Sequence, residues 1–147
     1  MTRKFPRGEG FPNEGFVLGA IERHFRSLGF ALLDEGFTDF ACIHRESGER
    51  WVIEAKGHST DVGLDFNTCL GQLLKRMHDG ESAKFGLAMP ATPQYEKQIR
   101  QIGRKVREAL GLHWLLINES GVVQLIGPSE SISDGASLVG RRADRPV

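Results

Sequence analysis

No stretch of this chain approaches the ~18 consecutive apolar residues that a membrane-crossing helix needs. A helical membrane protein is therefore not expected. The opening residues, Met1 to Arg7, have no apolar core of the kind a secretory signal carries, so a cytoplasmic protein is expected. An excess of one charge is also missing. The 19 basic and 19 acidic residues cancel, leaving a formal net charge of zero over 147 residues. That excludes a uniformly basic surface, and any contact with a polyanion has to come from a local basic face. Cysteine is scarce: Cys42 and Cys69 are the only two, and each sits inside an apolar segment. A disulfide framework and a thiolate metal site are both excluded, and two buried, reduced thiols are expected. His24, His44, His78 and His113 show no zinc-ligand spacing. There is no internal repeat.

What is present suits one globular domain, with 39% hydrophobic and 26% charged residues. A chain of this length can bury a sizeable core. Residues 1–12 are rich in Gly, Pro and basic side chains and read as a flexible arm. Residues 128–147 are Ser-, Gly- and Arg-rich with little apolar content and read as a disordered tail. The domain is expected to span 13–127.

Apolar periodicity predicts a helix over 14–28, with a stripe of Val17, Ile21, Phe25 and Leu28, Asn13 as N-cap and Gly29 as stop. Three strands are expected next, at 30–34, 37–45 and 50–57. A polar loop over 58–64 leads into a helix at 65–78, ended by Asp79-Gly80. A fourth strand at 84–90, one helix at 94–110, and a hairpin of 113–118 with 121–126 follow. The middle strands are apolar on both faces outside their charged positions. That predicts a central sheet covered by helices on both sides, an α/β fold.

The segment from Asp39 to Lys56 is the most informative. It reads as a hairpin with an acid on its first strand and Glu54-Ala55-Lys56 at the end of the second. Alternate residues of a strand share a face, so Glu54 and Lys56 point the same way. A two-residue turn at Ser47-Gly48 would pair Arg45 with Arg50 and set Asp39 opposite Lys56. Asp39 would then be a diagonal neighbour of Glu54 on the same face. A slip of one residue would carry it to the other face. Two adjacent carboxylates repel each other and favour a hard divalent cation such as Mg²⁺. A lysine beside that ion can orient a water and offset charge developing on a phosphate. Charges rarely follow a run as apolar as Trp51-Val52-Ile53 unless they are paired or functional.

These residues resemble the PD-(D/E)XK nuclease superfamily, which includes restriction endonucleases, junction resolvases and repair exonucleases. The resemblance covers roughly residues 14 to 92. Thr38 stands where the motif's name has proline, a position without a chemical role. The resemblance implies a restriction-endonuclease-like α-β-β-β-α-β core, followed here by an extra helix and hairpin. It implies Asp39 and Glu54 as metal ligands and Lys56 as the residue assisting the attacking water. It also implies Glu22 on the first helix as a further ligand, with Asp34 and Glu35 as competing acids. Gln72, on the helix after the Lys56 strand, would orient the lysine, a water or the scissile strand. The implied activity is Mg²⁺-dependent hydrolysis of DNA, with Mn²⁺ as a substitute and RNA not excluded. The alternative is a nuclease fold kept as an inactive module binding nucleic acid or protein.

Beside that core, Arg76 is placed to contact phosphate. Lys97, Arg100, Arg104 and Arg107 form a basic stripe on the 94–110 helix, opposite Tyr95, Ile99, Ile102 and Val106. His58 and Asp61 follow the Lys56 strand and read first as a surface loop, one that could touch substrate or a second metal. One active site cuts two strands awkwardly, so a two-fold homodimer is expected, with the terminal hairpin as its candidate edge.

Overall fold

The computed structural model describes residues 10–34, 36, 38–78 and 82–131. Most of the basic arm and of the tail therefore lies outside the described residues. Residues 128–131, assigned to the tail from composition, are described, and the Glu130 carboxylate accepts the Gly127 N–H.

The first helix, α1 (Glu14–Ser27), buries Val17, Ile21 and Phe25, one residue per turn. It ends before Gly29, whose φ of +93° suits glycine. Asn13 is the N-cap residue, but only its carbonyl takes part, accepting the Val17 N–H. Strands β1 (Phe30–Leu33), β2 (Phe40–His44) and β3 (Arg50–Ala55) follow as an antiparallel meander. Then come α2 (Val62–Leu74), β4 (Lys84–Pro90), α3 (Pro93–Arg100), α4 (Arg104–Leu110), β5 (Leu112–Ile117) and β6 (Val123–Ile126). The order of the first six elements is the expected α-β-β-β-α-β.

Among the boundaries that differ from expectation, α2 ends at Leu74 rather than 78, with Asp79-Gly80 outside the described residues, and three others have a local reason. β2 starts at Phe40, so Thr38 and Asp39 stand just before the strand. α2 starts at Val62 rather than 65, because Asp61 caps it by accepting the Leu64 N–H. Asp61, at the end of the loop after β3, is thus the cap of α2. The single helix expected over 94–110 is two. Gln101 and Ile102 close tight i→i+3 turns, and Gly103, a poor helix former, turns extended and starts α4. Replacing Asp61 with alanine is expected to cost about 1 kcal/mol of stability. A urea titration would show this as a lower midpoint at unchanged slope.

The six strands form one mixed sheet in the order β1-β2-β3-β4-β5-β6. β3, β4 and β5 run parallel, and β6 turns back antiparallel to β5. β5 is therefore internal, and β6 alone forms the edge expected of the terminal hairpin. α1 covers one face, packing on Phe40, Trp51, Ile53 and Ala55. α2 and α3 cover the other, packing with Val52, Leu87, Trp114 and Leu116. Each strand residue thus has an assigned side, and β3 sends Ile53 toward α1 and Val52 toward α2. No helix among the described residues is long and apolar enough to cross a membrane.

Candidate functional site

β2 pairs with β3 so that Phe40 faces Ile53 and Ile43 faces Arg50. The expected register paired Arg45 with Arg50, so the observed one is shifted by two residues. The turn is longer than expected: Gly48 N–H bonds the His44 carbonyl and His44 N–H bonds the Glu49 carbonyl. A shift of two conserves the side each residue faces. Continuing this register one step sets Asp39 directly across from Glu54 rather than diagonal to it. The constellation survives in a tighter form.

Hydrogen bonds hold both acids. Asp39 Oδ2 accepts the Ala55 N–H at 2.9 Å, tying the acid before β2 to the strand that carries Glu54. Glu54 is 2% exposed. Its Oε2 lies 2.8 Å from Thr38 Oγ1, which is also 3.1 Å from the Ile53 carbonyl. The hydroxyl has one proton. With Glu54 ionised, Thr38 donates to it. With Glu54 protonated, Thr38 accepts from it and donates to Ile53. Both protonation states are satisfied. Burial pushes the Glu54 carboxyl above the ordinary carboxylate range, and the Asp39 charge adds to this, while Thr38 and Arg76 pull the other way. Arg76 Nε stands 3.6 Å from Glu54 Oε2.

Lys56 follows β3 directly, and its N–H bonds the Ala88 carbonyl on β4. Strand alternation directs its side chain toward the α2 face with Glu54. The Cys69 thiol of α2 reports how these groups converge. Burial raises its pKa first, the charges of Glu54, Asp39 and Glu14 raise it further, and Lys56 lowers it. Glu14 was not among the candidate acids, yet its charge is felt at this thiol and, after burial and the charges of Asp65 and Cys69, at the Tyr95 hydroxyl. Gly57 explains the approach. A β-carbon there would lie 2.1 Å from the Glu14 nitrogen, so the start of α1 rests on the end of the Lys56 strand. Tyr95 Oη donates to the Gly57 carbonyl at 2.7 Å from the other side. The signal for Glu14 was its place in the first turn of a helix whose N-cap the sequence already marked.

The structure does not bring Glu22 to these acids. It is buried on α1, which covers the Ile53 side of the sheet, and it pairs with Arg26 at 2.8 Å. Asp34 is exposed just past β1, and Glu35 lies outside the described residues. Gln72 is exposed on α2, one turn before Arg76. His58 is exposed on the loop after Gly57. The basic stripe is divided by the break at Gly103. Lys97 and Arg100 belong to α3 and Arg104 to α4, all exposed, but Arg107 is 3% exposed and turned inward. The register of α4 is not a continuation of α3, and Val106 is exposed instead of lining the core.

Among the described residues no three acids, histidines or cysteines stand close enough to ligate one ion. Asp39, just before β2, and Glu54, on β3, are a pair of hard carboxylates set across from each other by the register. That donor set suits Mg²⁺, which keeps several waters and takes one or two protein carboxylates.

No family model and no curated protein matches the chain. Solved structures do. An XisH family protein from Nostoc punctiforme superimposes with a TM-score of 0.50 at 16% identity, covering 76% of this chain and 98% of its own. An fdxN element excision controlling factor protein from Anabaena variabilis gives a TM-score of 0.50 at 15% identity, covering 75% and 97%. At such identities the likeness is one of fold. The fold is α/β and restriction-endonuclease-like, a mixed six-stranded sheet flanked by four helices.

Proposed function

We propose that this protein is a Mg²⁺-dependent nuclease of PD-(D/E)XK type that hydrolyses DNA phosphodiester bonds. The observation that carries the reading is Asp39 set across from Glu54, with Lys56 on the same face. Asp39 and Glu54 hold the ion, for which Mn²⁺ would substitute. When bound, the ion supplies Lewis acidity toward the scissile phosphate. Lys56 orients the attacking water and offsets charge on the phosphate oxygens. Thr38 and the Ala55 N–H fix the two carboxylates, so their geometry is set before substrate arrives. Glu14, rather than Glu22, adds a third negative charge at this end of the sheet. Gln72 on α2 and Arg76 just past its end present a donor and a cation to the strand being cut, and Lys97, Arg100 and Arg104 offer cations to its backbone. One neighbour in fold is called an excision controlling factor, and excision favours DNA over RNA. Cutting both strands calls for two copies. The β6 edge, with Val122 and Leu125 exposed, is the surface through which they would pair.

One observation favours a second reading, an inactive nuclease-fold module binding nucleic acid or protein. Arg76 already supplies Glu54 with a positive charge from within the chain. Cleavage of supercoiled plasmid separates the two. Cutting is expected in Mg²⁺ or Mn²⁺, none in EDTA, and about a hundredfold less in Lys56→Ala. Metal-dependent cutting that survives Lys56→Ala rejects the assigned site. No cutting by the native protein, with no metal bound, establishes the second reading.

A further inference from the structure

Between α3, α4 and β5 lies a cavity of about 320 Å³, on the same side of the sheet as Glu54. Three arginines line it, Arg100, Arg104 and Arg107, and among the described residues no carboxylate does. Arg100 pairs with Glu96 at 3.2 Å and Arg104 with Glu108 at 3.0 Å, each one turn away. Arg107 has no carboxylate partner among the described residues. One of its terminal nitrogens donates to the carbonyls of Gly127 and Glu130, and its Nε is buried without a hydrogen-bond partner. Burial and the neighbouring Arg104 charge both work against its ionised form, with Glu108 opposing them weakly.

A buried guanidinium whose neighbouring carboxylate, Glu108, is already paired with another arginine is costly, and the cost is relieved when an anion enters. Carbonyls satisfy two N–H bonds but neutralise nothing. Guanidinium forks match phosphate oxygens. The cavity is larger than phosphate alone, and its remaining wall is Ile99, Ile102 and Trp114, apolar and partly aromatic, with Gly103 and Ser131 beside them. We propose that this cavity binds a phosphate monoester attached to a flat organic group, such as a nucleotide or the 5′-phosphate end of a nucleic acid strand. Arg107 anchors the phosphate from below, and Arg100 and Arg104 close on it from the rim. The site shares Arg100 and Arg104 with the backbone contact proposed above but no residue with Asp39, Glu54 or Lys56, so binding measured without metal tests it apart from cleavage.

The test is thermal unfolding of the full chain in EDTA, which removes any contribution from a metal at the acids. The ligands are a deoxynucleoside 5′-monophosphate, the matching nucleoside, and short oligonucleotides with 5′-phosphate or 5′-hydroxyl ends. The monophosphate is expected to raise the midpoint by about 5 °C at saturation, and the nucleoside to leave it unchanged. In Arg104→Gln, a rim change that spares the core, affinity should fall at least about tenfold. Arg107→Lys should lower it further. If the phosphorylated oligonucleotide equals or exceeds the mononucleotide, the natural ligand is a strand end. If only the mononucleotide binds, it is a free nucleotide. The proposal is overturned if the monophosphate gives no shift. It is equally overturned if chloride at matched ionic strength gives the same shift, or if Arg104→Gln binds as the native chain does.

Discussion

Replacing Gly57 with alanine is expected to lower the free energy of unfolding by about 3 kcal/mol, the upper range for forcing a methyl into a packed site. The added carbon would stand 2.1 Å from the Glu14 nitrogen, 2.5 Å from the Asn13 carbonyl carbon and 2.6 Å from the Glu14 Cα. All three are backbone atoms, so no side chain can swing aside. Relief requires α1 to retreat from β3, which opens the core where Val17 and Ile21 pack on Ile53. It also requires the Gly57 carbonyl to hold or lose its bond from Tyr95. The damage falls on the proposed site, because the same contact carries Glu14 to the end of the Lys56 strand. Gly71→Ala is the control. That glycine is inside α2 with nothing within 4 Å of the added carbon. Alanine there is expected to stabilise the helix by about 0.5–1 kcal/mol. Urea titrations of both variants decide the matter. A loss under about 0.5 kcal/mol at Gly57 would mean the close approach is not rigid.

The contrast between Gly57 and its neighbours shows what the sequence could and could not disclose. Strand alternation is a local property, so Asp39, Glu54 and Lys56 were assignable to one face even though the hairpin register was wrong by two. An error of two residues preserves the face, whereas an error of one would have lost the site. Which helical acid reaches that face is a different kind of question. Glu14 and Glu22 lie two turns apart on the same helix, and periodicity says only that Glu22 borders the apolar stripe. The choice is made by Gly57, forty-three positions away from Glu14 in the chain, through an approach no local pattern encodes. Arg107 leaves the basic stripe for a third reason. A continuous helix over 94–110 does place Arg107 beside Arg100 and Arg104. The break at Gly103 resets the phase of α4, turning Arg107 inward and Val106 outward. Strand faces and element order were thus legible, while long-range packing and helix phase across a glycine were not.

Glu54→Gln is expected to make the protein more stable at neutral pH and to abolish its metal-dependent cutting. The native carboxyl has its pKa raised in the folded state, chiefly by burial and then by the Asp39 charge, against the pull of Thr38 and Arg76. The folded protein therefore holds this proton more tightly than the unfolded chain. Between the ordinary carboxylate range and the raised value, the folded state binds more protons. Stability from this group falls as pH rises through that window, and above it the penalty is present in full. Glutamine removes the titration. Its amide can donate to Thr38 while Thr38 donates to the Ile53 carbonyl, reproducing the hydrogen bonds of the protonated acid. Arg76 loses its ion pair with Glu54, but its side chain is 29% exposed. The gain should be about 1 kcal/mol at pH 7, vanishing toward pH 4. Mg²⁺ should reverse the order, because it relieves the repulsion between Glu54 and Asp39 in the native chain and finds only one carboxylate in the variant. Native protein is then expected to gain stability with Mg²⁺ and the variant to gain none, while plasmid cutting by the variant falls to its level in EDTA. Unfolding midpoints from about pH 4 to pH 8, with and without Mg²⁺, test each part separately. A variant less stable than the native protein at pH 7 would show that Arg76 compensates the buried charge completely. Equal stabilisation of both proteins by Mg²⁺ would place the ion elsewhere. The combination expected here, stability gained and activity lost at one buried oxygen, is the signature of a carboxylate kept ionised for its ligand rather than for the fold.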